Sequence, residues 1–296
     1  MLGGVAGVVQ AGPINVPGGS FESPATLYVS INIDSWQKTP KPDGYVEGGG
    51  FLWTQLTGLF KNTPASSANH IDNCDGNQVM WLFAVPEVGL FQDRDSLDWN
   101  DETPTHEFTA RFEAGCSYQL TAGVSGFGGG MLEGATLELG LYYRDAASNR
   151  VTVAATTVTN SLTVFSNNTH LIDYAVSVPT VRSNDAWAGQ NIGILLLSTV
   201  DTNLQGGYWD LDNVRLASTR SPVMSAPASE NGRFQFTLLS EPGGVVEILA
   251  GTNLLNAPVN WTSLGRLTNS TGTYRFVDTN AGFQKRFYQA RPVPWL

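Results

Sequence analysis

Short runs of alternating apolar and polar residues, separated by glycine, asparagine and proline, recur along almost the whole chain. A spacing of two is typical of a strand with one buried face, and turn residues between such runs are typical of antiparallel sheets. No stretch has the spacing of a convincing amphipathic helix. The pattern therefore predicts an all-β protein built from β-sandwiches. Its clearest strands are Ala25–Trp36, Gln78–Val85, Ser117–Val124, Glu138–Arg144 and Ile192–Ser198.

The charge of the chain excludes one class of partner. The 296 residues carry a net charge of −10, and the 16 lysines and arginines are scattered. Nucleic-acid binding needs a basic surface that neutralises phosphates, so we expect no nucleic-acid partner. No run of 18 apolar residues is present, and we therefore expect no membrane span. An acidic surface suits calcium and neutral glycans better than acidic polymers.

The N-terminal segment and the cysteines each have two interpretations. Residues 1–13 open with the small, apolar segment Met1–Gln10, which is either the tail of a secretory signal or an ordinary N-terminal strand. The first interpretation predicts a secreted, extracellular or cell-surface protein. Cys74 and Cys116 either form one disulfide or stay separate buried thiols, because their spacing does not show whether they are close in space.

The composition divides the rest of the chain into three segments. Residues 14–217 carry the strands of a first module. Residues 218–230 are rich in serine, alanine and proline, which predicts a linker. Residues 231–296 form a smaller β-sandwich accessory module, with strands such as Phe234–Leu238 and Val245–Leu249.

Two distant segments resemble the ends of a known module. Gly18–Pro24 and Tyr208–Leu216 are similar to the opening and closing strands of carbohydrate-binding, galactose-binding-like jelly rolls. The resemblance implies a jelly-roll β-sandwich over residues 14–217, whose two ends lie close together. Further segments follow in the order typical of that family, namely Trp36, Asp75–Gln78, Gly89–Gln92 and Gly115–Leu120.

The C-terminal segment has a resemblance of its own. Ala250–Leu254, Trp261 and Arg286–Arg291 resemble a C-terminal β-sandwich module of secreted proteins from Verrucomicrobia-like bacteria. The resemblance implies an immunoglobulin-like accessory sandwich and no chemistry.

The first resemblance also implies a structural calcium ion, held by Glu22 and Asp212. Asp212 has the same parity as the apolar residues that follow it in the closing strand, so we expect its carboxylate to face inward. A buried carboxylate is costly unless it is paired or bound to a cation. The alternative is that Asp212 caps a turn or pairs with an arginine such as Arg215 or Arg111.

Aromatic residues in polar loops are the candidate ligand-binding set. Sugar rings stack on aromatic planes, and Trp53, Trp99, Trp187 and Tyr45 lie in or beside loops that also carry amides and carboxylates. The alternative for each is packing or anchoring of its loop. We assign Trp36 and Trp81 to the core instead.

The acidic segment Asp93–Glu102 is the candidate for catalysis, because glycoside hydrolysis needs two carboxylates. Asp98, Asp101, Glu102 and Glu107 are the carboxylates available there. A charged loop is more often only solvated. The sequence contains no nucleophile elbow and no histidine metal motif, which argues against an enzyme.

These observations predict a secreted, non-catalytic carbohydrate-binding protein that recognises a polysaccharide or surface glycan and holds a structural calcium. One alternative is a carbohydrate-active enzyme, hydrolase or lyase, on the same scaffold. The other is a structural subunit of a cell-surface or extracellular fibre that self-associates through Met1–Val16 by strand addition.

Overall fold

Two antiparallel sheets make up the larger part of the computed structural model, which describes residues 12–47, 50–97, 103–230, 233–254, 260–280 and 285–293. The chain divides into two compact units, one of which consists of Pro13–Ala114 and Tyr118–Ala217. The strands of this part are β1 (Gly12–Ile14), β2 (Val29–Ser30), β3 (Gln37–Lys38), β4 (Thr57–Lys61), β5 (Gln78–Phe83), β6 (Gly89–Gln92), β7 (Cys116–Gly128), β8 (Thr136–Arg144), β9 (Arg150–Thr159), β10 (Ile172–Val178), β11 (Gly193–Ser198) and β12 (Tyr208–Arg220).

The strand orders confirm the predicted all-β jelly-roll class. Sheet A has the order β10-β7-β12-β5-β4-β2, with β1 paired to β12, and sheet B has the order β3-β6-β11-β8-β9. Short 3-10 helices occur at Trp53–Gln55 and Thr202–Leu204. No helix in the described ranges is long and apolar enough to cross a membrane.

Alternation along β5 separates a buried face of sheet A from a more open one. Met80 and Leu82 have no exposed surface, whereas Trp81 and Phe83 between them are partly exposed. On the paired strand β4, Leu59 is likewise buried and Phe60 is partly exposed. Sheet A therefore has a core face and a second face with aromatic side chains, which we call the open face.

A bulge in β12 changes which side chains face the core. Trp209 and Leu211 are buried at a spacing of two, but the next buried apolar residue is Val214, three positions on. The extra residue is Asn213, whose φ of 54° lies in the left-handed region that asparagine tolerates. Asp212 is fully buried, in agreement with the expectation that its carboxylate faces inward, but the bulge interrupts the spacing of two on which that expectation was based.

Strands also form the C-terminal part of the chain. They are β13 (Val223–Glu230), β14 (Arg233–Leu239), β15 (Gly244–Gly251), β16 (Thr262–Asn269), β17 (Thr273–Asp278) and β18 (Phe287–Pro292). They form two three-stranded sheets, β13-β14-β17 and β16-β15-β18. The core of this sandwich consists of Phe236, Leu238, Val246 and Ile248.

The segment predicted as a linker, residues 218–230, contains the end of β12 and the whole of β13. Strand β13 is an edge strand, and its pairing with β14 shifts register between Ser225 and Ala228. Pro227 lies at this irregularity, where the ladder needs no N–H group. A composition rich in proline, serine and alanine is therefore compatible with an edge strand. Of the predicted leader, Gly12 and Pro13 belong to β1, and residues 1–11 lie outside the described residues.

Candidate functional site

The open face of sheet A carries an aromatic cavity of ≈ 300 Å³. The side chains that line it come from β2, β4, β5 and β12, and three of them alternate with fully buried residues in the same strands. The lining residues are Val29, Phe60, Trp81, Phe83 and Tyr208. The strand alternation thus places large, partly exposed aromatic side chains on the open face.

Glycines position two of these aromatic side chains. Gly58 is paired with Trp81, and a Cβ atom at Gly58 would lie 2.3 Å from the indole ring. The indole N–H of Trp81 donates to the carbonyl of Gln55 at 3.2 Å, which fixes the ring across β4. A Cβ atom at Gly128 would similarly lie 2.4 Å from the ring of Tyr208. Both aromatic walls therefore depend on missing side chains in neighbouring strands.

Asp210 is an acidic group of this face that is largely shielded from solvent. It is paired directly with Trp81 in the β12–β5 register, so the two side chains lie on the same face. Its Oδ1 atom is inaccessible to solvent and has no hydrogen-bond partner among the described residues. Burial raises the pKa of the Asp210 carboxyl to about 7. Burial and the charge of Asp210 also raise the pKa of Tyr208.

The sequence analysis included Asp210 in the closing-strand motif but gave it no role. The signal that could have found it is its position between the buried residues Trp209 and Leu211, which directs its side chain to the opposite face. The same analysis assigned Trp81 to the core, and this is wrong because Trp81 lies on the open face with Phe83.

A larger cleft of ≈ 710 Å³ adjoins the aromatic cavity, since Val29 and Phe60 line both. Leu27, Tyr28 and Val29 form an apolar rim and are 79%, 81% and 65% exposed. The remaining lining residues are mainly polar or small, and include Lys61, Asn62, Thr63, Pro64, Ala65, His70, Gly76 and Asn77.

The side chains of both predicted calcium ligands, Glu22 and Asp212, accept hydrogen bonds from backbone N–H groups of one turn, residues 74–78. The backbone N–H of Asp75 donates to Asp212 Oδ2 at 2.6 Å. The N–H groups of Asn77 and Gln78 donate to Glu22 Oε1 at 2.8 and 2.7 Å. The opening and closing strands of the jelly roll therefore meet at this turn.

The carboxyl group of Asp212 is fully buried. Burial raises its pKa to about 7, against the opposing effect of its hydrogen bonds from Asp75 and Asn213. No arginine or lysine of the described ranges pairs with it, and Arg215 pairs with Asp173 instead. Carboxylate and carbonyl oxygens are the ligands that calcium takes. No cluster of three or more histidine, cysteine, aspartate or glutamate side chains with metal-binding geometry occurs in the described part of the chain.

The structure brings two of the four predicted ligand-binding aromatics together. Tyr45 and Trp53 have ring centroids 5.0 Å apart, but Trp53 is only 6% exposed and donates its indole N–H to the carbonyl of Thr39. Trp187 is partly buried in a separate turn. Trp99 lies outside the described residues.

The carboxylates considered for catalysis are described only in part. Asp98, Asp101 and Glu102 lie outside the described residues. Glu107 accepts a hydrogen bond from the hydroxyl of Ser35 at 3.0 Å. Glu107 is not among the residues that line the aromatic cavity.

No disulfide joins the two cysteines, both of which are in the described part of the chain. Burial, and next the charge of Asp212, raise the pKa of the Cys74 thiol to about 12. Cys74 is therefore a packing residue rather than a nucleophile.

Comparison with known proteins gives a consistent assignment. The family model described as HpiC1-like, HpiC1 cyclase, matches residues 12–217. A cyclase from Fischerella sp. TAU is 22% identical, with a TM-score of 0.51 over 70% of this chain and 97% of its own. No curated protein matches the chain.

Two further structures from the same source contain bound compounds. A Stig cyclase, Fisc, in complex with (3Z)-3-(1-methyl-2-pyrrolidinylidene)-3H-indole is 23% identical, with a TM-score of 0.50 over 71% of this chain and 99% of its own. A cyclase in complex with 4-(1H-indol-3-yl)butan-2-one is 23% identical, with a TM-score of 0.50 over 70% of this chain and 98% of its own. At these identities the likeness shows a shared fold.

The predicted function is wrong in two respects. The match to a cyclase family contradicts a non-catalytic protein, and it also contradicts a polysaccharide or glycan partner. The error has a physical cause: the motifs of the opening and closing strands specify the scaffold, and a scaffold does not specify the ligand that it binds. The secreted location stays a prediction. Since its model matches well over half of the chain, the family is established: this chain belongs to the HpiC1-like cyclases.

Proposed function

We propose that this chain is a cyclase that closes a ring on a small, largely apolar substrate bearing an indole or a comparable aromatic ring. The observation that carries the proposal is the placement of Asp210: a carboxyl group with an unpartnered, solvent-inaccessible oxygen, paired with the cavity residue Trp81 on the same face of sheet A. The indole compounds bound by two structurally similar cyclases support the choice of substrate.

The apolar surroundings of Asp210 suit a general acid. A carboxyl group that is costly to ionise retains its proton near neutral pH and can deliver it to an unsaturated atom of the substrate. The electron pair of the substrate double bond forms the new bond to hydrogen, and the adjacent carbon becomes electrophilic. A second π bond of the same molecule then attacks that carbon and closes the ring.

The cavity walls would protect and stabilise the resulting cation. Trp81, Phe83 and Tyr208 present aromatic faces, which attract positive charge when water is excluded. An apolar lining also keeps water away from the electrophilic carbon, so the internal π bond reacts first. Aromatic stacking on Trp81 is the natural contact for an indole ring.

We further propose a structural calcium at the turn of residues 74–78, with Glu22 and Asp212 as its side-chain ligands. Two carboxylates from the two ends of the sandwich converge there without a basic partner in the described ranges. Bound calcium would neutralise them and hold the turn against the closing strand. In this proposal the ion has a structural role.

The test is a cyclisation assay with indoles that carry a tethered alkene at C3. The products are separated by chromatography and identified as isomers of unchanged mass. We expect wild-type protein and the control Asp173→Asn, which alters an exposed carboxylate of sheet A, to form the cyclised isomer. Asp210→Asn should not form it. Equal product from Asp210→Asn and wild type, or none from wild type, would overturn the proposal.

A further inference from the structure

His70 lies in the larger cleft with a fixed orientation. Its Nδ1 atom is within hydrogen-bond distance of the backbone carbonyl of Thr63. A carbonyl oxygen can only accept, so Nδ1 carries the proton and the neutral ring has its lone pair on Nε2. No hydrogen bond from the described residues engages Nε2.

The residues around His70 hold it in place. The side-chain amide of Asn62 forms two hydrogen bonds with the backbone of Ile71, one of 2.9 Å to its carbonyl and one of 3.1 Å from its N–H. Ile71 is 3% exposed and packs in a cluster with Val79 and Leu171. The position of His70 is therefore fixed by the next residue, Ile71, which is buried and hydrogen-bonded to Asn62.

The cleft that His70 lines lies about two residues along sheet A from the position of Asp210. Val79 and Trp81 are two residues apart on the same face of β5, a rise of about 6.6 Å. Trp81 is paired with Asp210, and Val79 is paired with Phe60, which lines both the cavity and the cleft. A substrate that extends from the cavity past Phe60 into the cleft would have Asp210 near one end and His70 near the other.

We propose that His70 is the base that ends the cyclisation, and this inference depends on the function proposed above. After ring closure, the substrate carries one positive charge. The lone pair of Nε2 takes a proton from a carbon or nitrogen next to that charge, and the electron pair of the broken bond forms the product double bond. One proton enters from Asp210 and one leaves to His70, so the overall reaction is an isomerisation. Solvent then returns both groups to their starting states.

The test compares three histidine variants in the cyclisation assay. In His70→Asn the side-chain amide nitrogen occupies the place of Nδ1 and keeps the hydrogen bond to Thr63, but no acceptor remains at the position of Nε2. The matched control is His106→Asn, since His106 Nδ1 bonds the carbonyl of Arg94 at 2.7 Å in the same way but does not line the cleft. We expect His70→Asn to lower kcat by about 100-fold or more, or to divert the product to another isomer or to an alcohol, whereas the control stays at the wild-type rate.

A third variant separates proton transfer from a structural role. In His70→Ala, added imidazole should restore product formation in proportion to its concentration, because it supplies the missing base. Wild-type kcat and product ratio in His70→Asn, or loss of activity in His70→Ala that imidazole does not restore, would overturn this proposal. If Asp210→Asn is inactive in the same series, the cyclase function still stands. If wild type itself forms no product, both proposals fail.

Discussion

The protein buries carboxylates in two different ways. In the C-terminal sandwich, Glu247 is 7% exposed and binds Arg291 at 2.5 Å, and Asp278 is 5% exposed and binds Arg286 at 2.6 Å. In strand β12, Asp210 and Asp212 have no basic partner in the described ranges, and burial raises both pKa values to about 7. Hydrogen bonds from Arg291 instead lower the pKa of Glu247.

The difference separates structural from functional groups. A buried ion pair satisfies both charges and gives neither group a reason to exchange a proton or bind a ligand. A buried carboxylate without a counter-charge costs free energy in the folded state, and such groups are found at functional sites. The paired carboxylates Glu247 and Asp278 lie in the C-terminal sandwich, and Asp93 of the first unit is likewise paired, with Arg144 at 2.8 Å. By contrast, Asp210 lies on the same face of sheet A as the aromatic cavity and Asp212 lies at the proposed ion site.

The largest expected effect is on the rate of cyclisation, when the unpaired carboxyl group of Asp210 is replaced with a neutral amide. Asp210→Asn should lower kcat for cyclisation by about 100- to 10,000-fold, the range that a general acid contributes. The free energy of unfolding at pH 7 should not fall, since the variant removes a poorly solvated carboxyl and breaks no ion pair. Both are measured on one preparation, by product formation and urea unfolding. A marked loss of stability would place Asp210 with the structural carboxylates.

Removing a basic partner from the C-terminal sandwich should lower the stability of the protein and leave its activity unchanged. Arg286→Met leaves Asp278 buried without its counter-charge and should lower the free energy of unfolding by about 3 kcal/mol. The rate of cyclisation per folded molecule should stay unchanged. The control is Arg275→Met, which breaks an exposed pair with Glu230 and should cost less than about 1 kcal/mol. Equal effects of the two variants would show that burial of the pair does not matter.

Calcium should change the stability of the protein only through Glu22 and Asp212, the carboxylates of the proposed ion site. A ligand present at 100 times its Kd stabilises the folded state by about 2.7 kcal/mol, so added calcium should raise Tm and a chelator should lower it. Asp212→Asn and Glu22→Gln should weaken that response. Asp72→Asn, an exposed residue of the neighbouring loop, should keep it. A calcium response that survives both ligand substitutions would contradict the assignment of this site.

The smallest expected effect concerns Tyr288, whose hydroxyl donates to Asp278 at 2.7 Å. Burial, and next Asp278, raise the pKa of Tyr288 to about 12. The folded state binds this proton more tightly than the unfolded state, so the contribution is complete below pH 10 and disappears as pH rises to about 12. Tyr288→Phe should cost about 1 kcal/mol at pH 7 and should flatten the alkaline part of the stability curve. The control Tyr274→Phe, at an exposed tyrosine, should change neither the stability at pH 7 nor the alkaline part of the curve. Thermal unfolding of both variants from pH 7 to 12 measures these effects.

Much of the scaffold is readable from the sequence, because alternation depends on local chemistry. The strand Ser117–Val124 falls within β7, and Glu22 and Asp212, predicted as joint ligands, lie at the same turn. The ends of a jelly roll carry recognisable motifs, since they must meet.

The cavity cannot be predicted from strand alternation in the same way. Alternation divides β5 into two faces, one with Met80 and Leu82 and one with Trp81 and Phe83, but it does not show which face a second sheet covers. Large aromatic residues suit either face, and Trp81 was therefore assigned to the core. The bulge at Asn213 is a second limit, because an asparagine within a strand does not by itself show that its φ lies in the left-handed region.

The place of Trp81 over Gly58 bears on how the family can diversify. One wall of the aromatic cavity is positioned by an absent side chain on the neighbouring strand, and a Cβ atom there would meet the ring at 2.3 Å. A single substitution at Gly58 would move that wall and change the shape of the cavity, while every residue that lines the cavity keeps its chemical identity. If the cavity holds the substrate as proposed, new substrate ranges can arise from changes behind its wall, with the lining residues retained.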